Sequence, residues 1–155
     1  MKISQLILDD FLEIYFQNSK YLLSAKDEED IIKGNFSIER STYLINDTGH
    51  LNLADLLICY NQLIYVGLAS KIKRNYYEKL KEMDYDLFKK NQLNALAYKV
   101  KEINLRKIIY SKDFSGEINI RKVRKINNTY YVNTLFNFEN SITGEINIAI
   151  KLNND

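Results

Sequence analysis

The side chains best suited to acid–base chemistry lie close together, at the start of an apolar segment. His50 is the only histidine of the chain and Cys59 its only cysteine, with Asn52 and Asp55 between them. Gly49 allows the backbone to approach a ligand closely. In the first turn of a helix, backbone N–H groups lack intrahelical partners and carry a partial positive charge. If a helix begins here, the spacing favours a polar site that stabilises negative charge developing on an oxygen atom.

The apolar segment after these residues predicts such a helix. Leu, Ile and Tyr recur at three- and four-residue spacing from about residue 52 to residue 73. Because apolar residues also fill its other faces, we expect this central helix to be buried. Cys59 is then a buried thiol, and a single cysteine permits no internal disulfide, as is usual in a reducing cytoplasm.

The remaining segments predict a sheet around that helix. Residues 4–18 have helical spacing with Ser4 as N-cap, whereas 27–30 read as an exposed acidic turn and 75–90 as a charged surface helix. The predicted strands are 21–25, 31–39, 95–110, 114–123, 130–139 and 141–152, with a tight hairpin at Asn127-Asn128. The pentapeptide GEINI occurs in two of these strands. A buried helix followed by antiparallel strands is an α+β pattern.

A sheet wrapped around a central helix is the hot-dog arrangement. We therefore predict one hot-dog domain over residues 1–155. Because the edge of such a sheet is commonly paired with a second copy, we expect a homodimer or a dimer of dimers.

Composition excludes several classes of function. The chain has 22 basic and 20 acidic residues, which argues against a dedicated nucleic-acid binder or a membrane-surface protein. Because the chain has only one histidine and one cysteine, we expect no structural zinc site and predict no metal ligand. No targeting signal or membrane span is expected. The predicted location is the cytoplasm.

Four sequence blocks carry a family resemblance. They are GNFSI at 34–38, STY at 41–43, TGHLN at 48–52 and CYNQLIY at 59–65. These blocks resemble the FcoT-like family of hot-dog acyl-thioester enzymes, whose pattern runs GNFxI, SAY, TGHFNxxE and CFNQLxY. The similarity continues through Gln92-Leu93, Arg106-Lys107 and Phe114-Ser115. It covers most of the chain.

The resemblance implies an enzyme of fatty acyl thioester metabolism. The first prediction is a thioesterase that hydrolyses acyl-CoA or acyl-carrier protein (ACP). The alternative is a lyase-type addition of glycine to a 2-enoyl-ACP, as in isonitrile or β-amino acyl biosynthesis. A second alternative is an acyl-binding hot-dog protein without catalysis. CoA or phosphopantetheine carries the substrate in each case, and no further cofactor is expected.

The resemblance also implies the catalytic residues, which are Tyr43, Asn52 and Tyr15. Between Tyr43 and His50 the chain is one residue longer than the family pattern. A helix N-cap is the alternative role for Asn52. Aromatic packing is the alternative for both tyrosines.

The predicted substrate-binding residues are Gly49, His50, Asp55, Lys99 and Arg106. Asp55 occupies the position of the family's acid, and it or His50 is the candidate base. Residues 99–125 contain nine Lys or Arg and three acids. This excess predicts a basic rim for CoA phosphates or for an acidic carrier protein, with solvated strand faces as the alternative.

Overall fold

Six antiparallel strands form one sheet in the computed structural model, which describes residues 1–153. The helices are α1 (Gln5–Leu12), α2 (Leu53–Lys73) and α3 (Tyr85–Lys90). The strands are β1 (Leu22–Glu28), β2 (Ile31–Phe36), β3 (Ala95–Leu105), β4 (Phe114–Ile126), β5 (Thr129–Phe138) and β6 (Ile142–Lys151). Short 3₁₀ turns lie at Gln17–Ser19, Glu78–Leu80 and Gln92–Asn94.

The order of strands across the sheet is β1-β2-β4-β5-β6-β3. α2 connects β2 to β3 and packs against the inner face of the sheet, where alternate residues of β4 and β5 are buried. β4 and β5 form the predicted hairpin, because Ile126 pairs with Thr129 and leaves Asn127-Asn128 as the turn. The predicted arrangement, an antiparallel sheet around a long helix, is confirmed.

α2 is the core of this fold, as its apolar sequence predicts. The helix is long and apolar enough to cross a membrane, but 72% of its apolar 18-residue stretch is buried inside the protein. Gly67 lets it pack closely on β2, since a Cβ atom there would lie 2.1 Å from Ile32 Cδ1. The buried amide of Gln62 ties the helix to the start of β1. Its Oε1 accepts the N–H groups of Tyr21 and Leu22, each at 2.9 Å.

The C-terminal end of α2 is fixed by a buried ion pair. Lys71 donates to Asp27 Oδ1, and both side chains are fully buried. Asp27 Oδ2 accepts from Ser70 at 2.8 Å and from Arg74 at 2.6 Å. The prediction that Asp27 belongs to an exposed acidic turn is therefore wrong, because the residue ends a strand beneath α2.

The repeated GEINI pentapeptide lies in β4 and β6, on either side of β5. Gly116 pairs with Phe138, and Gly144 pairs with Phe136. A Cβ atom at either glycine would come within 2.4 to 2.6 Å of the paired phenylalanine ring. Both copies thus leave room for an aromatic ring of β5, which explains the shared glycine without a duplication.

Several predicted elements are shorter than expected, among them β2, which ends at Phe36 instead of residue 39. α1 ends at Leu12 instead of residue 18, and Ser4 makes no side-chain capping bond. The chain turns after Leu12, so that Tyr15 packs against the core while Phe16 stays 83% exposed. Of the charged segment 75–90, only α3 and one 3₁₀ turn are helical, and β3 ends at Leu105 instead of residue 110.

Candidate active site

Four polar side chains form a connected hydrogen-bond network at the start of α2. The Tyr43 phenol donates to Asn52 Oδ1 at 2.6 Å. Asn52 Nδ2 donates to Asp55 Oδ2 at 2.7 Å, and Ser41 Oγ donates to the same carboxylate oxygen at 2.5 Å. Two predicted catalytic residues, Tyr43 and Asn52, are therefore in direct contact, with the family's acid position directly behind them.

The N-cap of α2 positions this network. Asn52 has extended backbone angles, and its Oδ1 also accepts the Asp55 N–H at 3.0 Å. Asn52 thus has the N-cap role considered from the sequence, and the same side chain contacts Tyr43. Just before it, the Leu51 N–H donates to the Ile109 carbonyl at 2.8 Å, which ties the start of the helix to the segment after β3.

The turn before α2 has the backbone geometry that glycine favours. Gly49 has φ +71°, in the left-handed region, and its N–H donates to Asp47 Oδ1 at 2.9 Å. His50 is exposed, and its Nδ1 lies 2.9 Å from the Thr48 carbonyl. The imidazole therefore satisfies a turn carbonyl. The substrate-binding roles of Gly49 and His50 stay predictions.

Two backbone donors of α2 are available to a ligand. The Asn52 side chain takes the Asp55 N–H, and the Asn52 carbonyl takes the Leu56 N–H at 2.9 Å. Among residues 1–153, the N–H groups of Leu53 and Ala54 make no hydrogen bond. They carry the partial positive charge of the helix start and lie next to Asn52.

Burial raises the pKa of the Tyr43 phenol, and the neighbouring Asp55 carboxylate raises it further against the opposing effect of the Asn52 hydrogen bond. The phenol is consequently protonated at neutral pH. Burial and Asp55 also raise the pKa of the Cys59 thiol well above its ordinary value. A neutral thiol is a poor nucleophile, which agrees with the prediction of a structural cysteine.

Tyr15 lies deeper along α2 than the network. It is half-buried and packs against the core, and burial raises its pKa with smaller contributions from Tyr65 and Cys59. Cys59 and Tyr65, which act on the Tyr15 pKa, follow Asp55 along α2 by one and by several helical turns. The structure does not join Tyr15 to Tyr43 and Asn52 by a hydrogen bond, and its catalytic role stays a prediction.

The two predicted basic residues lie outside the network. Lys99 is exposed in β3, and Arg106 is exposed just after that strand. Lys99 helps to line a shallow cavity of about 380 Å³ together with Lys101, Lys122 and Arg124. The nearest acid in that cavity, Glu145, is paired with Lys101 at 3.0 Å. A basic surface is therefore present, and its substrate-binding role stays a prediction.

Ser41 and Tyr21 are the residues of this site that sequence reasoning missed. Ser41 is buried and precedes Tyr43 by two residues in the STY block, so its presence in a matched block was the available signal. Tyr21 is buried, and its hydroxyl has no partner in the described part of the chain. Burial raises the pKa of this phenol, and the Asp55 charge adds to the rise. Asp55 Oδ1 is likewise buried without a partner in the described part of the chain.

The surface around Tyr43 is apolar and open. Tyr43 itself is 49% exposed. Exposed apolar side chains also lie in its own loop and at the start of α2 (Ile45 and Leu53) and in the segment after β3 (Ile108 and Tyr110). Such a patch next to polar groups is typical of a surface that another molecule covers. Within residues 1–153, no group of three or more His, Cys, Asp or Glu is placed to hold a metal ion.

Comparison with known proteins identifies sequence relatives. The FcoT-like thioesterase domain matches residues 10–150. A (2E)-enoyl-[ACP] glycyltransferase of Streptomyces coeruleorubidus is 32% identical over 123 residues, which are 77% of this chain and 74% of that protein. A protein of the same name from Mycobacterium marinum is 27% identical over 133 residues, 83% of this chain and 72% of the relative.

Solved structures with low sequence identity share the fold. The dehydratase heterocomplex ApeI:P from Xenorhabdus doucetiae matches with a TM-score of 0.60 at 14% identity, over 95% of this chain and 91% of the other. A hypothetical thioesterase with coenzyme A from Streptococcus pneumoniae TIGR4 matches with a TM-score of 0.52 at 10% identity, over 96% and 99% of the two chains. The predicted hot-dog fold class is thereby confirmed.

Proposed function

Because the chain belongs to the FcoT-like thioesterase family and is a thioester-processing enzyme, we propose that it adds glycine to a (2E)-enoyl thioester carried by ACP. The names of the curated relatives support this choice of reaction. The observation that carries it is the contact between Tyr43 and Asn52 beside the unpaired N–H groups of α2. The N–H groups can donate to the acceptor carbonyl, and the Tyr43 oxygen can accept a hydrogen bond from the attacking amine.

The reaction is a conjugate addition. The lone pair of the glycine nitrogen forms a bond to carbon 3, and the electrons of the carbon 2–carbon 3 double bond shift toward the carbonyl, whose oxygen becomes an enolate oxygen. The nitrogen then loses one proton and carbon 2 gains one, so the product contains every atom of both reactants. No oxidant or reductant is needed.

The groups at the start of α2 suit each step. The N–H groups of Leu53 and Ala54 donate to the enolate oxygen, as oxyanion donors do in acyl transfer. The oxygen of Tyr43 accepts a hydrogen bond from the attacking nitrogen, which then loses its surplus proton to solvent while carbon 2 gains a proton from solvent. Removing one good oxyanion donor costs about 3 to 4 kcal/mol of transition-state stabilisation.

Hydrolysis of a saturated acyl thioester is the second candidate. The family's thioesterase description favours it, and water attack on carbon 1 also places negative charge on the carbonyl oxygen. The same donors would stabilise that oxyanion. The two reactions differ in the nucleophile, so the site must distinguish an amine from water.

The acyl substrate arrives on the phosphopantetheine arm of ACP, and the enzyme uses no further cofactor in this proposal. The ACP named in the curated relatives supports this partner. We assign the protein to lipid metabolism because its proposed substrate is an acyl thioester, and we place it in the cytoplasm. Its single cysteine, buried in α2, needs no oxidising compartment.

The proposed assembly is a homodimer that pairs through β3. This strand is one of the two edge strands of the sheet, β1 being the other, and an unpaired edge is a template for a second strand. Its exposed apolar residues are Leu96, Tyr98, Val100 and Leu105, all at least 45% exposed. A second copy would cover them. Sedimentation of the parent and of Val100→Lys, which places a charge in the proposed contact, tests this assembly, and a monomeric parent would overturn it.

Mass spectrometry of the reaction products tests the function. The enzyme is incubated with 2-enoyl-ACP and with saturated acyl-ACP, each with and without glycine. We expect the 2-enoyl-ACP to gain the mass of glycine faster than either thioester releases free acid. Faster release of acid would instead support hydrolysis. If neither product forms above background and Tyr43→Phe matches the parent, the protein is a non-catalytic acyl binder.

A further inference from the structure

The side chain of Asn52 is held at both ends of its amide. Its Nδ2 donates to Asp55 Oδ2 at 2.7 Å, and its Oδ1 accepts from the Tyr43 phenol at 2.6 Å. A carboxylate only accepts hydrogen bonds, so the amide nitrogen must face Asp55. The amide oxygen must consequently face Tyr43, and the Asp55 N–H, at 3.0 Å from the same oxygen, enforces this orientation.

Ser41 supports the carboxylate that sets this orientation. Its hydroxyl donates to Asp55 Oδ2 at 2.5 Å, and both residues are almost fully buried, at 2% and 1% exposure. A buried carboxylate oxygen needs hydrogen-bond donors to replace those of water. Asp55 lies in the first turn of α2, where the helix dipole also favours negative charge. Because Asp55 is buried behind Asn52, it can act on a substrate only through other residues.

This orientation decides what the exposed Tyr43 hydroxyl offers. Its hydrogen is bound to Asn52, so its outward side presents only oxygen lone pairs. An amine N–H can donate to them, whereas a thioester carbonyl cannot. With the Asn52 amide rotated by half a turn, its NH₂ group would face Tyr43, and the phenol hydrogen would be released toward a carbonyl.

We propose that Asp55 and Ser41 are positioning residues that orient the Asn52 amide, so that the Tyr43 oxygen is presented to the amino group of the nucleophile as an acceptor. The inference rests on the proposed glycine addition. It adds the basis on which the site chooses an amine over water. Asp55 is then a positioning residue, and neither a base nor a substrate contact.

Steady-state kinetics of Asp55→Asn and Ser41→Ala test the proposal. An asparagine at position 55 can face Asn52 with either end of its amide, so only the backbone N–H of residue 55 then holds the Asn52 amide oxygen toward Tyr43. We expect the KM for glycine to rise roughly tenfold, as for the loss of one hydrogen bond to the substrate. The KM for the enoyl thioester should stay within about twofold, and free-acid release should increase relative to adduct. Asp86→Asn, at an exposed first-turn acid of α3, is the matched control.

A double variant separates positioning from simple loss of structure. In Asn52→Asp/Asp55→Asn the carboxylate and the amide exchange places, so the Tyr43 phenol again has an acceptor at its side of the pair. We expect this variant to recover much of the glycine KM that Asp55→Asn loses. Equal increases in both KM values, or no recovery in the double variant, would overturn the proposal.

NMR of protein with carbon-13 at the hydroxyl-bearing ring carbon of its tyrosines reports on the hydrogen bond through a chemical shift, in the absence of turnover. The Tyr43 resonance is identified by its loss in Tyr43→Phe. We expect it to shift in Asp55→Asn and Ser41→Ala, and to be unchanged in Asp86→Asn. An unshifted resonance contradicts the inference even if glycine addition is observed. If the parent makes no adduct, the proposed function fails while the resonance still decides whether Asp55 orients the network.

Discussion

The phenol of Tyr43 and the amide oxygen of Asn52 are 2.6 Å apart and are joined by a hydrogen bond across nine residues of sequence. Asn52 begins α2, and Tyr43 belongs to the loop before it. The contact therefore couples the orientation of a reactive hydroxyl to the start of a helix whose remaining length is buried. The predictions below follow from this coupling and from the packing that holds the helix in place.

Replacing Tyr43 with phenylalanine should lower kcat for glycine addition about 100-fold, because the attacking nitrogen becomes positively charged and loses a hydrogen bond worth about 1.5 to 3 kcal/mol. Stability should change little, since the side chain is 49% exposed. Product formation followed by mass spectrometry, together with thermal unfolding, measures both effects. Tyr110→Phe, at a neighbouring exposed tyrosine, is the control and should keep parental kcat. An active Tyr43→Phe would remove the phenol from the mechanism.

Replacing Asn52 with alanine should reduce both stability and activity. The loss of an N-cap costs about 1 kcal/mol, and the Tyr43 phenol loses its acceptor. Asn52→Ser retains a capping oxygen without placing a second carboxylate beside Asp55, and should restore most of the stability. Urea unfolding of the two variants measures the difference. Asp84→Ala removes the corresponding cap of α3 and should lower stability without affecting turnover. Parental activity in Asn52→Ala would show that the residue only caps the helix.

The pH dependence of kcat/KM for glycine should show no loss of activity through Tyr43 below pH 10. Burial raises the pKa of this phenol above its ordinary value of 10.0. Its neutral form is therefore fully present below that value and is lost only as pH rises beyond it. Activity should instead increase with pH as glycine loses its ammonium proton. A descending limb near neutral pH that disappears in Tyr43→Phe would contradict this assignment.

Disrupting the buried pair at the end of α2 should destabilise the fold. Asp27→Asn leaves the charge of Lys71 uncompensated in a fully buried position, and breaking such a pair costs roughly 3 to 5 kcal/mol. Lys71→Met should cost less, because Ser70 and Arg74 still donate to Asp27. Urea unfolding measures the order of the two variants. Equal or reversed costs would show that the buried charge of Lys71 does not depend on Asp27 in this way.

Reversing the charge of Lys99 should weaken the use of carrier-bound substrate. Lys99 lies among three other cations on the outer surface, and charges at the rim of an interface mainly change the association rate. For Lys99→Glu we expect a severalfold higher KM for enoyl-ACP and no change for a short pantetheine thioester. Lys81→Glu, at an exposed lysine outside this surface, is the control. Equal effects on both substrates would exclude carrier docking at Lys99.

Much of the fold could be predicted because its signals are local. The spacing of apolar residues marked α2 to within one residue at each end, and Asn127-Asn128 marked the hairpin. The matched blocks named Tyr43 and Asn52 as candidate residues. They also named the family, and the comparisons confirm the family and the class of enzyme. The buried amide of Gln62 was recognised as needing partners, and the structure supplies them from the start of β1.

What the sequence determined by itself is therefore the set of elements and the candidates for the reactive residues, since periodicity and motif are properties of neighbouring residues. Only the tertiary structure decided that Ser41 meets Asp55 and that Asp27 is buried under Lys71. Those contacts join residues 14 and 44 positions apart. They exist because the sheet closes around α2, and no local pattern records which side chains then meet.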